Sequence, residues 1–351
     1  VLLLGRDQED RQAGVKARLS VLDLSPVGGE ATQAQAVRET IAVAQAAERL
    51  GYDRVWVAEH HNMRSLGSAS PEILMAALTQ ATKTIRLGSG GVMLVNYSPL
   101  KVAEVFMALE ALAPGRIDLG VGRALGTDGR TGGALRSAGS EAFPQYFALL
   151  NAWLLDAGGV EPITETHPAR GIHASPSGPS HPDIFLLCSS AETADFAGRA
   201  GVGMVFAEFI ARSDGGPAVS AYRAAFAPSA FRSEGWTAVA TIALAAETAE
   251  AAERLAAPMR ASALAGLDGP GADGERPRFA RIEDALAFLD ARRDDPRLAG
   301  VIARAIVGDP DTVRRGLAAK AEATGADELF VMAVGPDLDS RVRSLELIRA
   351  G

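Results

Sequence analysis

Arg54-Val55-Trp56-Val57-Ala58-Glu59-His60-His61 is the stretch on which the fold reading turns. An unbroken apolar run fits a strand covered on both faces. Its abrupt end in a carboxylate and two imidazoles places acid/base groups at a sheet edge, where a pocket can use them. Extended backbone sends neighbouring side chains to opposite faces. His60 and His61 therefore cannot both look into one cavity: one faces a pocket, and the other, with Glu59, supports it. Imidazole titrates near neutrality, which makes it the proton-transfer group here. The same alternation argues against a metal pair, whose ligands on a strand are best spaced by two. The competing reading is a pair of hydrogen-bonded structural histidines.

Working outward, apolar runs recur between helical periodicities. Leu19–Leu24 precedes an Ala-rich helix from Gln33 to Leu50, stopped by Gly51 as a C-cap. Ser70-Pro71 opens the next helix, with Ser70 as N-cap and Pro71 at its first position. Further strands are expected at Ile85–Val95, Ile117–Val121, Asp183–Cys188, Val202–Phe206, Ala238–Leu244 and Glu328–Val334, with Asp309 capping a late helix. Strand and helix alternate about eight times. The expected fold is α/β, a (β/α)8 barrel with insertions after strand 4 and after strand 7. The first insertion holds a Gly-rich loop over 122–139 and an irregular excursion over 161–182; the second includes 266–277. A two-domain doubly wound protein is the alternative. Residues 1–18 read as a flexible N-terminal extension, and 19–351 as a single domain.

In such a barrel the active site forms at the C-terminal ends of the strands. The residues at or just past those ends are polar: Asp23, Ser25, Glu59, His60, Asn96, Arg123, Ser189, Ser190 and Glu208. Gly90-Gly91 either lets a flat ring lie against the main chain or marks a bend. Arg123 sits in a Gly-flexible loop and suits a phosphate, or stands as a rim arginine. Ser189-Ser190-Ala191-Glu192-Thr193 joins a strand to a helix N-terminus, an anion site by its free amides, or an ordinary Ser190 N-cap. Cys188 reads as a small core residue rather than a nucleophile. His167, His173 and His181 match no zinc spacing and read as solvated loop residues.

Composition narrows the functions. The chain of 351 residues is 48% hydrophobic and 22% charged, with a formal net charge of -8. That balance repels nucleic-acid backbones. The single cysteine allows no intramolecular disulfide and fits a reducing, cytoplasmic setting. No apolar stretch approaches the roughly 20 residues of a membrane span.

Several segments taken together resemble the luciferase-like flavin monooxygenases, and within them the mensacarcin-type oxygenase subgroup. They are Leu22-Asp23-Leu24-Ser25-Pro26, Ala58-Glu59-His60-His61-Asn62, Ser70-Pro71-Glu72, Arg86–Leu94, Pro114–Arg123, Gly126-Thr127-Asp128 and Gly308–Val313. The resemblance implies His60 as the histidine that acts beside the flavin, with Glu59 and His61 next to it. It implies Gly90-Gly91 as a cis peptide under the ring, and Arg123, Leu125, Ser189, Ser190 and Thr193 as the FMN phosphate site, with Asn96 nearby. It also implies reduced FMN (FMNH2) from a separate flavin reductase, O2, a small-molecule substrate, no metal, and a homodimer. A deazaflavin (F420) hydride-transfer enzyme of the same fold is the first alternative, followed by a non-catalytic flavin-binding protein and a metal hydrolase using His60 or His61. The subgroup carries Pro where this chain has Val95 and Leu125, which reshapes the ring pocket and the loop after the fourth strand. Residues 138–182 match weakly and are expected to set substrate specificity.

Overall fold

The computed structural model describes residues 17–211, 213–269 and 277–350. The expected N-terminal extension lies outside the described residues up to residue 16, as do 270–276 of the second insertion. Arg18, placed in that extension, instead begins the first strand.

β1 (Arg18–Asp23) leads to α1 (Gln33–Arg49), β2 (Arg54–Val57), α2 (Pro71–Ala81), β3 (Arg86–Met93), α3 (Pro99–Leu112) and β4 (Ile117–Gly122). Then come α4 (Gly129–Ala134), α5 (Phe143–Ala157), β5 (Asp183–Cys188), α6 (Ala191–Arg199), β6 (Gly203–Ala207), α7 (Glu208–Ala211), α8 (Gly216–Ala225) and β7 (Thr237–Ala245). The chain ends with α9 (Ala249–Ala265), α10 (Ile282–Asp290), α11 (Arg297–Ile302), β8 (Ala305–Gly308), α12 (Pro310–Thr324), β9 (Glu328–Ala333) and α13 (Leu338–Arg349). The capping signals act as read at most ends. Gly51 takes φ 73°, just past α1, and Asp309 accepts the Thr312 amide at 2.9 Å. Ser70 sits at the N-cap of α2 but its side chain makes no capping bond; Pro71 carries that start alone.

All strand pairings are parallel. Sequential neighbours pair from β1 to β7, and β7 and β1 both pair β9, so eight strands close on themselves. Closure rules out the doubly wound alternative. Several elements were not read from the sequence: the helices α7, α8, α10 and α11, and two that bear on the barrel and its mouth. Ala305–Gly308 pairs with the far half of β7 and adds a ninth strand outside the ring. A short helix, α4, interrupts the Gly-rich loop, capped by Asp128, which accepts the Thr131 amide at 3.0 Å.

Alternation along the strands sorts the interior into layers. The floor is charged. Arg54 lies 2.7 Å from Asp118 and 3.3 Å from Glu328, all three buried. Burial opposes charge there, yet Arg54 and Arg86 hold Asp118 below its ordinary range, while burial lifts Glu328 above its own. Above the floor sits an apolar layer of Leu22, Trp56, Phe185, Val205 and Phe330. Trp56 is fully buried and donates its indole N–H to Asp118 at 2.9 Å. Two glycines make room for it: a Cβ on Gly88 would stand 2.3 Å from its indole nitrogen, and one on Gly120 would stand 3.1 Å from its ring. The top of the barrel is left for a cavity.

Candidate active site

Above the apolar layer a cavity of about 320 Å³ opens at the C-terminal ends of the strands. Its walls are mostly apolar, from Leu22, Trp56, Leu187 and Phe330 below to Phe209 and Ile210 of α7 at the rim. His60 is the imidazole in this wall. It continues the inward parity of Arg54, Trp56 and Ala58 past the end of β2. Its backbone N–H donates to the Ser68 carbonyl at 2.9 Å, and the Ser68 hydroxyl donates back to the Ala58 carbonyl. Its Nδ1 is buried and has no partner in the protein. Burial, with a smaller contribution from His61, pushes its pKa down from 6.5 to about 4. His60 is therefore neutral at neutral pH.

Glu59 and His61 take the opposite parity and lie outside the cavity wall. Glu59 is 1% exposed. It accepts the Met93 backbone N–H at 3.0 Å, the Tyr97 hydroxyl at 3.0 Å and bonds His61 Nε2 at 2.8 Å. One carboxylate thus ties the end of β2 to the end of β3. Burial, together with Glu59, pushes the Tyr97 phenol far up, so it stays a donor. The division of labour between the two histidines, left open by alternation, falls this way in the structure.

The Gly90-Gly91 peptide is cis. Gly90 is in the cavity wall; Gly91 faces away, where a Cβ would stand 2.6 Å from the Gly120 carbonyl oxygen. The β3–β4 register shifts between Gly90 and Val92, and Met93 then turns into the cavity.

At the mouth, Arg123, Ser189 and Thr193 line one side. Arg123 is exposed. Ser190 does not line the cavity: its hydroxyl accepts the Thr193 amide at 3.3 Å as the N-cap of α6. Asn96 and Leu125 also stand off the cavity and brace each other, the Asn96 amide donating to the Leu125 carbonyl at 3.0 Å. Cys188 borders the cavity but is 2% exposed, and burial drives its thiol pKa far up, which removes it as a nucleophile. The loop histidines bond within their own insertion: His173 to Asp156 at 2.8 Å, His181 to the Pro182 carbonyl at 2.9 Å, and His167 to the Ala169 amide at 3.1 Å. Among the described residues no three His, Cys, Asp or Glu side chains gather as a metal site, and no helix is long and apolar enough to cross a membrane.

Met93, Leu187, Ser140, Phe209 and Ile210 line the cavity without having been singled out from the sequence. Leu187 was accessible, since it shares parity with Ser189. Phe209 and Ile210 carried no signal, because α7 is a turn of helix set by tertiary context.

The chain belongs to the luciferase-like monooxygenase family, whose model matches residues 17–328. YwcH of Bacillus subtilis (strain 168) is 38% identical over 334 residues, 94% of this chain and 98% of that one. A luciferase-like monooxygenase of Escherichia coli (strain K12) is 35% identical over 334 residues, covering 93% and 95%. Among solved structures, apo MsnO8, a mensacarcin-type oxygenase, superposes with a TM-score of 0.84 at 35% identity, over 95% of this chain and 97% of that one. The fold alone is shared, at 21% identity, TM-score 0.68 and 95% and 98% coverage, with the oxygenating constituent of 3,6-diketocamphane monooxygenase from Pseudomonas putida. The F420-dependent secondary alcohol dehydrogenase shares it at 16% identity, TM-score 0.64 and 95% and 98% coverage.

Proposed function

We propose that this monooxygenase uses reduced FMN and O2 to oxygenate a small organic substrate, drawing its FMNH2 from a separate reductase. The observation that carries the reading is the neutral imidazole of His60 in the wall of an apolar cavity, with a buried Nδ1 that has no partner in the protein. A buried polar atom without a partner costs about 1–3 kcal/mol, and it is retained where a ligand completes it. The residues present fit a flavin. Gly90 and Gly122 offer bare walls to a flat ring. Arg123, Ser189, Thr193 and the first-turn amides of α6 would hold a phosphate. The 3,6-diketocamphane enzyme was solved with FMN, and as an oxygenating constituent, which supports both the cofactor and the separate reductase.

The bound flavin supplies the chemistry with oxygen. The protein supplies the setting. Leu22, Trp56, Leu187 and Phe330 keep water from the reacting face. His60 holds a lone pair or a proton at the cavity wall, in the neutral form that can accept from or donate to the substrate. Glu59 and His61 fix the backbone that presents it. Exposed Ile73 on α2 and Leu112 on α3 support a homodimer that covers them, which light scattering tests.

Anaerobic titration with FMNH2 and with reduced F420, followed by rapid mixing with O2, is the test. Tight FMNH2 binding and reoxidation slower than that of the free flavin are expected, with His60→Asn impairing substrate oxygenation by about 10²-fold or more. Binding of F420 alone moves the chain to hydride transfer. Full product yield from His60→Asn removes the role given to His60.

A further inference from the structure

His60 lines two cavities, not one. The second, about 400 Å³, lies between α1 and the loop 61–69. Gln33, Ala34 and Val37 form one wall, and Met63, Leu66 and Ala69 the other. This cleft faces solvent: Gln33, Ala34, Asn62 and Ala69 around it are exposed. It is also built rather than accidental. The Gln33 amide donates to the Met63 and Leu66 carbonyls at 3.0 and 2.7 Å. The Val27 amide donates to the Ser65 carbonyl, and the Gly67 amide to the Ser25 carbonyl, each at 2.8 Å. The wall opposite α1 is therefore fixed in place, tied to α1 by Gln33 and to residues 25–27 by two backbone bonds.

An acid/base group must return its proton to bulk solvent in every cycle. Were the reaction cavity the only route, it would have to admit water to the site it keeps dry. The imidazole stands between an apolar chamber and a polar, solvent-facing cleft, and its Nδ1 is unclaimed by the protein. We propose that the cleft between α1 and residues 61–69 is a water inlet through which His60 exchanges its ring proton with bulk solvent while the reaction cavity stays closed. Once His60 has taken up a proton from the reaction and become an imidazolium, one ring N–H passes its proton to a water in the cleft, which leaves as hydronium and restores the neutral ring; uptake is the reverse, with no other co-reactant. Use of the inlet in turnover rests on the monooxygenase reading, whereas the inlet itself does not.

Deuterium exchange at the imidazole Cε1–H, followed by NMR in the flavin-free chain with Leu187→Trp filling the reaction cavity, tests it. The chain has five histidines, so His60→Asn assigns the signal. Ala34→Trp places a large side chain across the cleft from an exposed position of α1. Exchange at His60 is expected to slow about tenfold, since solvent then needs a local opening, while the other histidines keep their rates. Ala69→Phe closes the cleft from the opposite wall and serves if the first variant fails to fold. An unchanged His60 rate in a folded variant of either kind overturns the proposal, because water then arrives by a route other than the cleft. The measurement uses no flavin. A slowed rate alongside failed FMNH2 binding would leave the inlet standing and remove only the flavin reading.

Discussion

Glu59→Gln isolates the support from the chemistry. The carboxylate serves three donors or partners with two oxygens, at 2.8 to 3.0 Å, in a site that is 1% exposed. Glutamine has nearly the same shape but keeps one acceptor oxygen. If that oxygen stays with the Met93 amide, the new NH2 confronts the Tyr97 hydroxyl and His61 Nε2. Both must then turn round to accept. No cavity is made, so the cost is the loss of two hydrogen bonds to a charged group, about 1.5 kcal/mol each. Together that is about 3 kcal/mol. With about 2.1 cal/mol/K of unfolding entropy per residue over 351 residues, it corresponds to a Tm lower by about 4 °C. Glu59→Ala also orphans the Met93 amide and leaves a void, so a drop of about 5 kcal/mol is expected. Calorimetry or thermal circular dichroism reads both. FMNH2 affinity should fall less than stability, because Glu59 touches the cavity only through the backbone of its neighbours. A Glu59→Gln protein that melts within about 1 °C of the wild type would refute the claim that this carboxylate braces the ends of β2 and β3.

His60 sets an acid limb of stability. Its folded pKa of about 4 lies below the ordinary 6.5, so its contribution is full above pH 6.5 and is lost as pH falls towards 4, by about 3 kcal/mol. Urea unfolding from pH 7 to 4 should show that loss, and His60→Asn should lack it. Gly120→Ala brings a Cβ to 2.1 Å from the Ser89 carbonyl oxygen, which is backbone, whereas Gly90→Ala meets the Leu22 side chain at 2.7 Å. The first should cost about 4 kcal/mol or more and fold poorly; the second should fold with a smaller cavity and weaker flavin affinity, read by melting and titration. Arg54→Met leaves Asp118 and Glu328 buried with less compensation, at a cost of about 3–5 kcal/mol. Their pKa values then rise, so the penalty should be largest near pH 7 and shrink on acidification, as a pH series of unfolding midpoints would show.

The order of the eight barrel strands, the polar strand ends and the fact that His60 and His61 face opposite ways were legible in the residues; which of the two faces the cavity was not. These are local matters: an apolar run covered on both faces, a capping residue and a two-residue alternation each act over a few positions. Asn96 and Leu125 were candidates for the cofactor and prove to brace one another, and Ser190 caps a helix while Ser189 and Thr193 line the mouth. Nothing local separates these uses, because each depends on where a loop from another strand comes to rest. The ninth strand was missed for a related reason. Ala305–Gly308 is four residues long, partly exposed, and becomes a strand only because the far half of β7 runs past the ring and offers it an edge. By itself the sequence determined a parallel barrel with an imidazole at the end of its second strand. Only the tertiary structure decided that this imidazole borders both an apolar chamber and a solvent-facing cleft, since both are spaces between separate elements of the fold.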